Sequence, residues 1–248
     1  MVPAVIHKIQ KKWAEFSQAP SKAGWIYDQW KWRYFHYKHK QQAQLNLAWD
    51  RAHGVETAAE QSLESAGVPL ADIARGNGVY RPLTEKLFRS AIASIGIDAT
   101  RFTFVDIGSG KGKVLFMAAD LPFKHVVGIE YAAGLHDVAV RNVSTYESDT
   151  RKCGSIEPVH ADALQYTLPP GPLVLFIFNA LAREIMRDLL KKLDADAAAD
   201  RPLILIYTNL RNVAEIGDVF SNLQHLHVIR RVKNFVVVAN DAGRASAG

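Results

Sequence analysis

The sequence predicts an α/β fold: a mainly parallel seven-strand sheet with helices on both faces, a terminal antiparallel hairpin and a helical N-terminal extension. Three observations carry this. From residue 84 onward, short apolar segments of strand length alternate with helix-like ones, the pattern of parallel strands joined by right-handed helical crossovers. A glycine-rich run, "VDIGSGKGK" at 105–113, sits between an apolar strand and the helix after it. The last two apolar segments are joined closely around Lys233, which leaves room for a hairpin but not for a crossover.

The elements follow in order. "TEKLFRSAIASIGI" (84–97) places Leu87, Ile92 and Ile95 near helical spacing, and "FTFVDIG" (102–108) reads as a short buried strand ending in glycine. "KVLFMAAD" (113–120) is a helix, "HVVGIE" (125–130) a strand and "AGLHDVAVRNVSTYES" (133–148) a helix; "IEPVHAD" (156–162) is a short extended piece. "PLVLFIFN" (172–179) is a strongly apolar strand, followed by the helix "LAREIMRDLLKKL" (181–193), the strand "PLILIYTN" (202–209) and a helix near "VAEIGDVFSN" (213–222). "HLHVIRRV" (225–232) and "NFVVVAN" (234–240) close the sheet, and the small polar tail 241–248 is expected to be disordered. The domains expected are a helical extension over 1–78, a core over 79–240 and the tail.

Charge and aromatic content are segregated. Residues 1–50 carry eight Lys or Arg against three acidic residues, so they account for the whole net charge of +5, and they hold all five Trp. Within them "WKWRYFHYKHK" (30–40) interleaves rings with basic groups. On a helix, Ile26, Trp30, Tyr34 and Tyr37 form one stripe, with Lys31, Lys38 and His39 largely off it. A stripe this heavy is expected to pack over the core as a lid, roofing an acceptor pocket in which Trp30, Tyr34, Tyr37 and His53 would meet substrate. The same composition leaves a polyanion partner open.

Other chemistries find little support. The single Cys153 cannot form an internal disulfide and has no His near it in sequence. His36 and His39, or His225 and His227, lack a third ligand for zinc, so no metal is expected. The apolar run 172–178 is too short to span a bilayer, no apolar signal-type run follows the N-terminal lysines, and a cytoplasmic protein without membrane insertion is expected.

The turn over 105–113 is the site-forming motif. Gly108, Gly110 and Gly112 permit a tight turn and close ligand approach at a helix N-terminus. The spacing departs from G-x-G-x-x-G, because Lys113 occupies the third glycine's place, and it is too short for a P-loop. What fits is D-x-G-x-G-x-G with an acidic residue, Glu130, ending the next strand. This resembles class I S-adenosylmethionine-dependent methyltransferases, whose domain is Rossmann-like, over about residues 79 to 240. The resemblance implies S-adenosyl-L-methionine as cofactor. Asp106, Gly108, Ser109, Gly110 and Gly112 would then line its methionyl end, Glu130 and the adjoining Tyr131 its ribose, and Asp162 and Ala163 its adenine.

"GNGVYRPLTEK" (76–86) resembles the segment before the glycine-rich motif in seven-strand protein-lysine methyltransferases and related, little-characterised bacterial proteins. That implies Tyr80, Arg81 and Thr84 near the methionyl carboxylate; Thr84 could equally cap the helix. "FNAL" (178–181) resembles an Asn-containing acceptor motif of amine-directed methyltransferases, with Ala180 in place of the common Pro. Asn179, which could instead cap the following helix, and Tyr80 are the candidate catalytic residues. The expected acceptor is an amine nitrogen of a small molecule or a protein lysine. Alternatives are an RNA or DNA acceptor reached through the basic aromatic extension, and a cofactor-binding module without catalysis.

Overall fold

The computed structural model describes residues 15–75, 78–198, 201–208, 220 and 222–247. The chain divides into two compact units, Met1–Leu45 and Asn46–Gly248, so the division falls well before the expected boundary at residue 79. A long helix, α1 (Lys22–His53), contributes to both. The helix expected near 213–222 lies largely outside the described residues.

In the first unit the helix bears a ladder of rings. Trp30 stacks on Tyr27 and on Tyr34, with centroids 6.4 and 5.5 Å apart, and Trp32 stacks on His36 at 5.1 Å. The expected burial of the stripe is not found: Trp30, Tyr34 and Tyr37 are 60%, 45% and 58% exposed. Rings also occupy other faces of the helix, as Trp32 and Phe35 do, and basic groups border them, so no single face can bury them all.

The second unit is a seven-stranded sheet. Its strands are β3 (Thr103–Ile107), β4 (His125–Glu130), β5 (Ile156–His160), β6 (Leu173–Phe178), β7 (Leu203–Thr208), β8 (His227–Val232) and β9 (Phe235–Ala239). A separate two-stranded ribbon, β1 (Gln61–Ser62) with β2 (Val79–Tyr80), precedes them. The order across the sheet is β5-β4-β3-β6-β7-β9-β8; β3 to β7 pair in parallel, and β9 runs antiparallel to both β7 and β8. The Rossmann-like sheet and terminal hairpin expected from sequence are therefore present.

Side-chain alternation builds a core on each face. Phe104 and Phe176 point one way, where Phe88 of α2 (Glu85–Ala93) and Phe116 of α3 (Lys113–Ala119) cover them. Val105, Leu175 and Ile177 point the other way, onto Leu189, Leu190 and Leu193 of α5 (Arg183–Asp196). α4 (Ala133–Thr145) connects β4 to β5. The chain runs outward from β3 to β5, then returns to the other side of β3 with β6. This reversal opens a crevice at the carboxyl ends of β3 and β6, where sheets of this type bind ligands. No helix among the described residues is long and apolar enough to cross a membrane.

The tail corrects another expectation, because Asp241–Ser246 forms α6. Asn240 explains why. Its buried amide caps α6 by accepting from Gly243 N–H at 2.8 Å, accepts from Leu203 N–H at 3.0 Å, and donates to Arg201 and Ala197 carbonyls at 2.8 and 3.1 Å. Asn240→Ala strands several buried backbone groups together, so a loss of about 2 kcal/mol or more is expected by urea denaturation.

Candidate active site

The crevice is lined from six stretches of the second unit: Leu63–Asp72, Val79–Leu83, Asp106–Val114, Ile129–Leu135, Ala161–Leu164 and Phe178–Ile185 all contribute. Its empty space, including that open to solvent, is about 1160 Å³, and apolar side chains with a few converging polar groups line it, as in small-molecule sites.

The glycine-rich turn forms its floor. Gly108 and Ser109 N–H both donate to Ile129 O, at 2.8 and 3.0 Å, which folds the turn back over β4. Gly108 has φ +78°, and a Cβ there would lie 2.3 Å from Ala180 Cβ. Gly110 has φ +55°, and its Cβ would lie 2.3 Å from the Tyr80 ring. Only glycine fits either place, because conformation and space are both denied to a side chain. Ser109 Oγ is buried without a partner and lies beneath the turn, 2.8 Å from where a Cβ at Gly128 would be. Gly112 begins α3 and packs on Phe116 outside the crevice lining.

Glu130 holds the turn from the next strand. Its carboxylate accepts from Gly110 N–H at 2.7 Å and from Ala132 N–H at 2.8 Å. Backbone amides thereby use part of its acceptor capacity, which is about four positions. Burial pushes its pKa up, and these amides partly offset the rise. Asp106, only 2% exposed, differs: no donor among the described residues reaches its carboxylate. Burial, with Glu130's charge adding to it, pushes the Asp106 carboxyl well above the usual range.

Asn179 leaves β6 at the far wall with φ 45°, the one positive φ of a non-glycine residue among those described. Asn tolerates this region better than most residues, and such strain concentrates at functional sites. Its N–H donates to Thr208 O at 3.0 Å. α5 begins only at Arg183 with Ala182 at its cap position, so Asn179 is not the helix cap. Asp162 and Ala163 line the opposite end, where Asp162 Oδ1 accepts from Leu164 N–H at 2.9 Å. Tyr131 also lines the crevice and donates to Asp72 at 3.2 Å.

The other expected residues fare differently. Tyr80 covers the turn, but its hydroxyl donates to Thr57 O at 2.9 Å; burial, with nearby Asp50, Asp106 and Glu130, raises its pKa well above 10.0 and keeps it neutral. Arg81 lines the crevice and pairs with Glu60 at 3.4 Å. Thr84 caps α2 by accepting from Leu87 N–H at 3.2 Å and does not line the crevice. His53 likewise lies outside the lining; its ring stacks on Trp49 and Tyr146, and Nδ1 meets Trp49 O at 2.8 Å. Neighbouring Asp50 accepts from Thr57 N–H, Thr57 Oγ1 and Ala58 N–H and so anchors the chain after α1.

One residue of the crevice escaped the reading from sequence. Lys113 lines it while only 2% exposed, its Nζ donating to Asn46 Oδ1 at 2.8 Å and lying 4.8 Å from the Trp49 ring centroid. Burial lowers its pKa to about 8, against the pull of Asp50 and Glu85. The only sequence signal was its position in place of the third glycine of a dinucleotide motif.

No family model matches the chain, and no curated protein sequence does. Solved structures similar to it include an RNA methyltransferase from Salinibacter ruber in complex with S-adenosyl-L-homocysteine: 16% identity over 64% of this chain and 91% of that one, TM-score 0.45. A geranyl diphosphate C-methyltransferase from Streptomyces coelicolor A3(2) is 13% identical over 64% and 78%, with a TM-score of 0.47. A precorrin-6y C5,15-methyltransferase from Geobacter metallireducens is 13% identical over 63% and 89%, with a TM-score of 0.44. Likeness at this level carries neither substrate nor mechanism to this chain.

The buried carboxyls have a measurable consequence. Both titrate higher in the folded chain than the ordinary value of about 4, so this pair costs the ligand-free fold stability as pH rises above that value. Asp106→Asn is expected to raise the melting temperature of the ligand-free protein at pH 7 by a few degrees and to flatten the pH dependence; a lower melting temperature would contradict the assignment.

Proposed function

We propose that the protein is a methyltransferase that uses S-adenosyl-L-methionine and delivers the methyl group to an amine nitrogen. The observation that carries this is Asp106, a buried carboxylate facing the crevice with no donor among the described residues. Such a group is costly unless a ligand donor or cation meets it, and the ammonium of an amino-acid side chain on a nucleoside would do so. The donor set around it fits the rest of that ligand.

In this reading Asp106 takes the ammonium, and the close backbone of Gly108 and Gly110 admits the chain beside it. Glu130 accepts from the ribose hydroxyls with the capacity its backbone bonds leave. Asp162 and the Ala163 backbone hold the adenine, and Arg81, Tyr80 and Tyr131 close the rim. When bound, the cofactor supplies an electrophilic methyl on a sulfonium. The protein's task is then to desolvate and orient a nucleophile. Asn179, held by its strained backbone at the end of β6, accepts an N–H of the incoming amine and so aims its lone pair. Tyr80, kept neutral, positions the turn and takes no proton. The acceptor is an amine of a small molecule or a protein lysine.

A second acceptor class is favoured by one observation, the exposed rings and flanking cations of α1. Trp30, Tyr34 and Tyr37, bordered by Lys31, Arg33, Lys38 and Lys40, suit a single nucleic-acid strand, whose bases stack on rings and whose phosphates meet cations.

Incubation of the full chain with methyl-labelled S-adenosyl-L-methionine and a cell extract, fractionated into protein, nucleic acid and small molecules, tests the activity. Label is expected in one fraction only, and Asn179→Ala should lower its incorporation about 100-fold or more while S-adenosyl-L-homocysteine still binds; absence of label from every fraction would contradict the proposal. For the second class, binding of single-stranded RNA should weaken steeply with salt, and neutralising the four cations should flatten that slope. Label confined to small amines with no RNA affinity would remove it.

A further inference from the structure

Lys113 has no task in the function proposed above, and its surroundings ask for one. Its residue is almost wholly buried, and among the described residues no carboxylate lies within 4.0 Å of its Nζ. Among the described residues its hydrogen-bond acceptor is the neutral Asn46 amide at 2.8 Å, and its other close partner is the Trp49 ring. An ammonium has three donors, so two are left over. Nearby Asp50 attracts it from beyond ion-pair distance, with its carboxylate bonded to Thr57 and Ala58. Glu85, the other carboxylate that attracts it, lies beyond ion-pair distance.

The cation on the other basic candidate is already committed, since Arg81 pairs with Glu60. Among the described residues, the crevice thus contains a buried carboxylate that no donor meets, Asp106, and a buried cation with no anion at ion-pair distance, Lys113, seven residues apart on one segment. Each is costly alone. A ligand end that carries both an ammonium and a carboxylate matches the two together, whereas a simple amine would leave Lys113 unmatched.

Resting on the methyltransferase reading, we infer that Lys113 is the carboxylate receptor of the crevice: its ammonium, oriented by Asn46 and Trp49, binds the carboxylate of the cofactor's amino-acid end. Arg81, assigned to that carboxylate from sequence, stays with Glu60 at the rim. The arrangement makes binding sensitive to pH. Lys113 must be charged to receive an anion, and burial makes that charge easier to lose than on an exposed lysine.

The test is calorimetric titration of the full chain with S-adenosyl-L-homocysteine and with its decarboxylated counterpart, in the native protein and in Lys113→Met and Lys113→Arg. Methionine keeps the side-chain packing on Trp49. The native protein is expected to prefer the carboxylate-bearing ligand by roughly tenfold or more. Lys113→Met should abolish that preference by weakening only the carboxylate-bearing ligand, and Lys113→Arg should keep part of it. A preference that survives undiminished in Lys113→Met, or no preference in the native protein, would overturn the inference while leaving the proposed function standing. Failure of the native protein to bind either ligand would overturn both. Should Lys113→Met not fold, the native chain still decides: its preference must shrink between pH 7 and pH 9, and a constant preference counts against Lys113.

Discussion

The Glu130 carboxylate is the interaction on which the crevice depends. It ties Gly110 N–H of the turn to Ala132 N–H beyond β4, so that strand β3, its turn and the start of the next crossover form one rigid corner. Charge-assisted bonds of this kind are the strong ones, and here they are buried. Remove them, and the first half of the turn keeps its bonds to the Ile129 carbonyl but loses its tie to the segment after β4. Everything that lines the crevice is set against this corner: Tyr80 packs on Gly110, Ala180 on Gly108, and Asn179 follows from the position of Ala180.

The segment before the sheet completes the site. Residues 46–60 are fastened to the turn and to α4 by Lys113 to Asn46, Lys111 to the Ala59 carbonyl, Tyr80 to the Thr57 carbonyl and Asn142 to both Glu56 and Lys111. These are mostly side chain to backbone bonds from buried polar groups, and they explain why Asn46–His53 belongs with the sheet although it is covalently part of a long helix. The crevice is therefore walled partly by residues well before the sheet.

Much of this was legible in the sequence, for physical reasons that can be named. Strand and helix periods differ, so the seven strands could be read from alternation, and glycines at 108 and 110 advertise a turn that no other residue can make. Acidic residues ending strands, such as Glu130, also stand out. What could not be read were roles that depend on distant backbone. Thr84 could be a cap or a ligand residue until the Leu87 amide was seen to meet it. His53 looked like a substrate residue, whereas stacking between Trp49 and Tyr146 makes it part of the packing. Lys113 was hidden because burial of a lysine is a property of tertiary packing alone. The stripe in α1 misled for the converse reason: helical spacing shows which rings share a face, but not whether anything covers it.

The central claim is that the corner held by Glu130 and the unmatched Asp106 exist to receive a nucleoside bearing an amino-acid side chain. A crystal structure of the full chain grown with S-adenosyl-L-homocysteine tests it most directly. The ribose hydroxyls are expected within hydrogen-bond distance of Glu130, the ammonium at Asp106 and the adenine beside Asp162 and Ala163. Ligand bound elsewhere, or an empty crevice at saturating concentration, would contradict it.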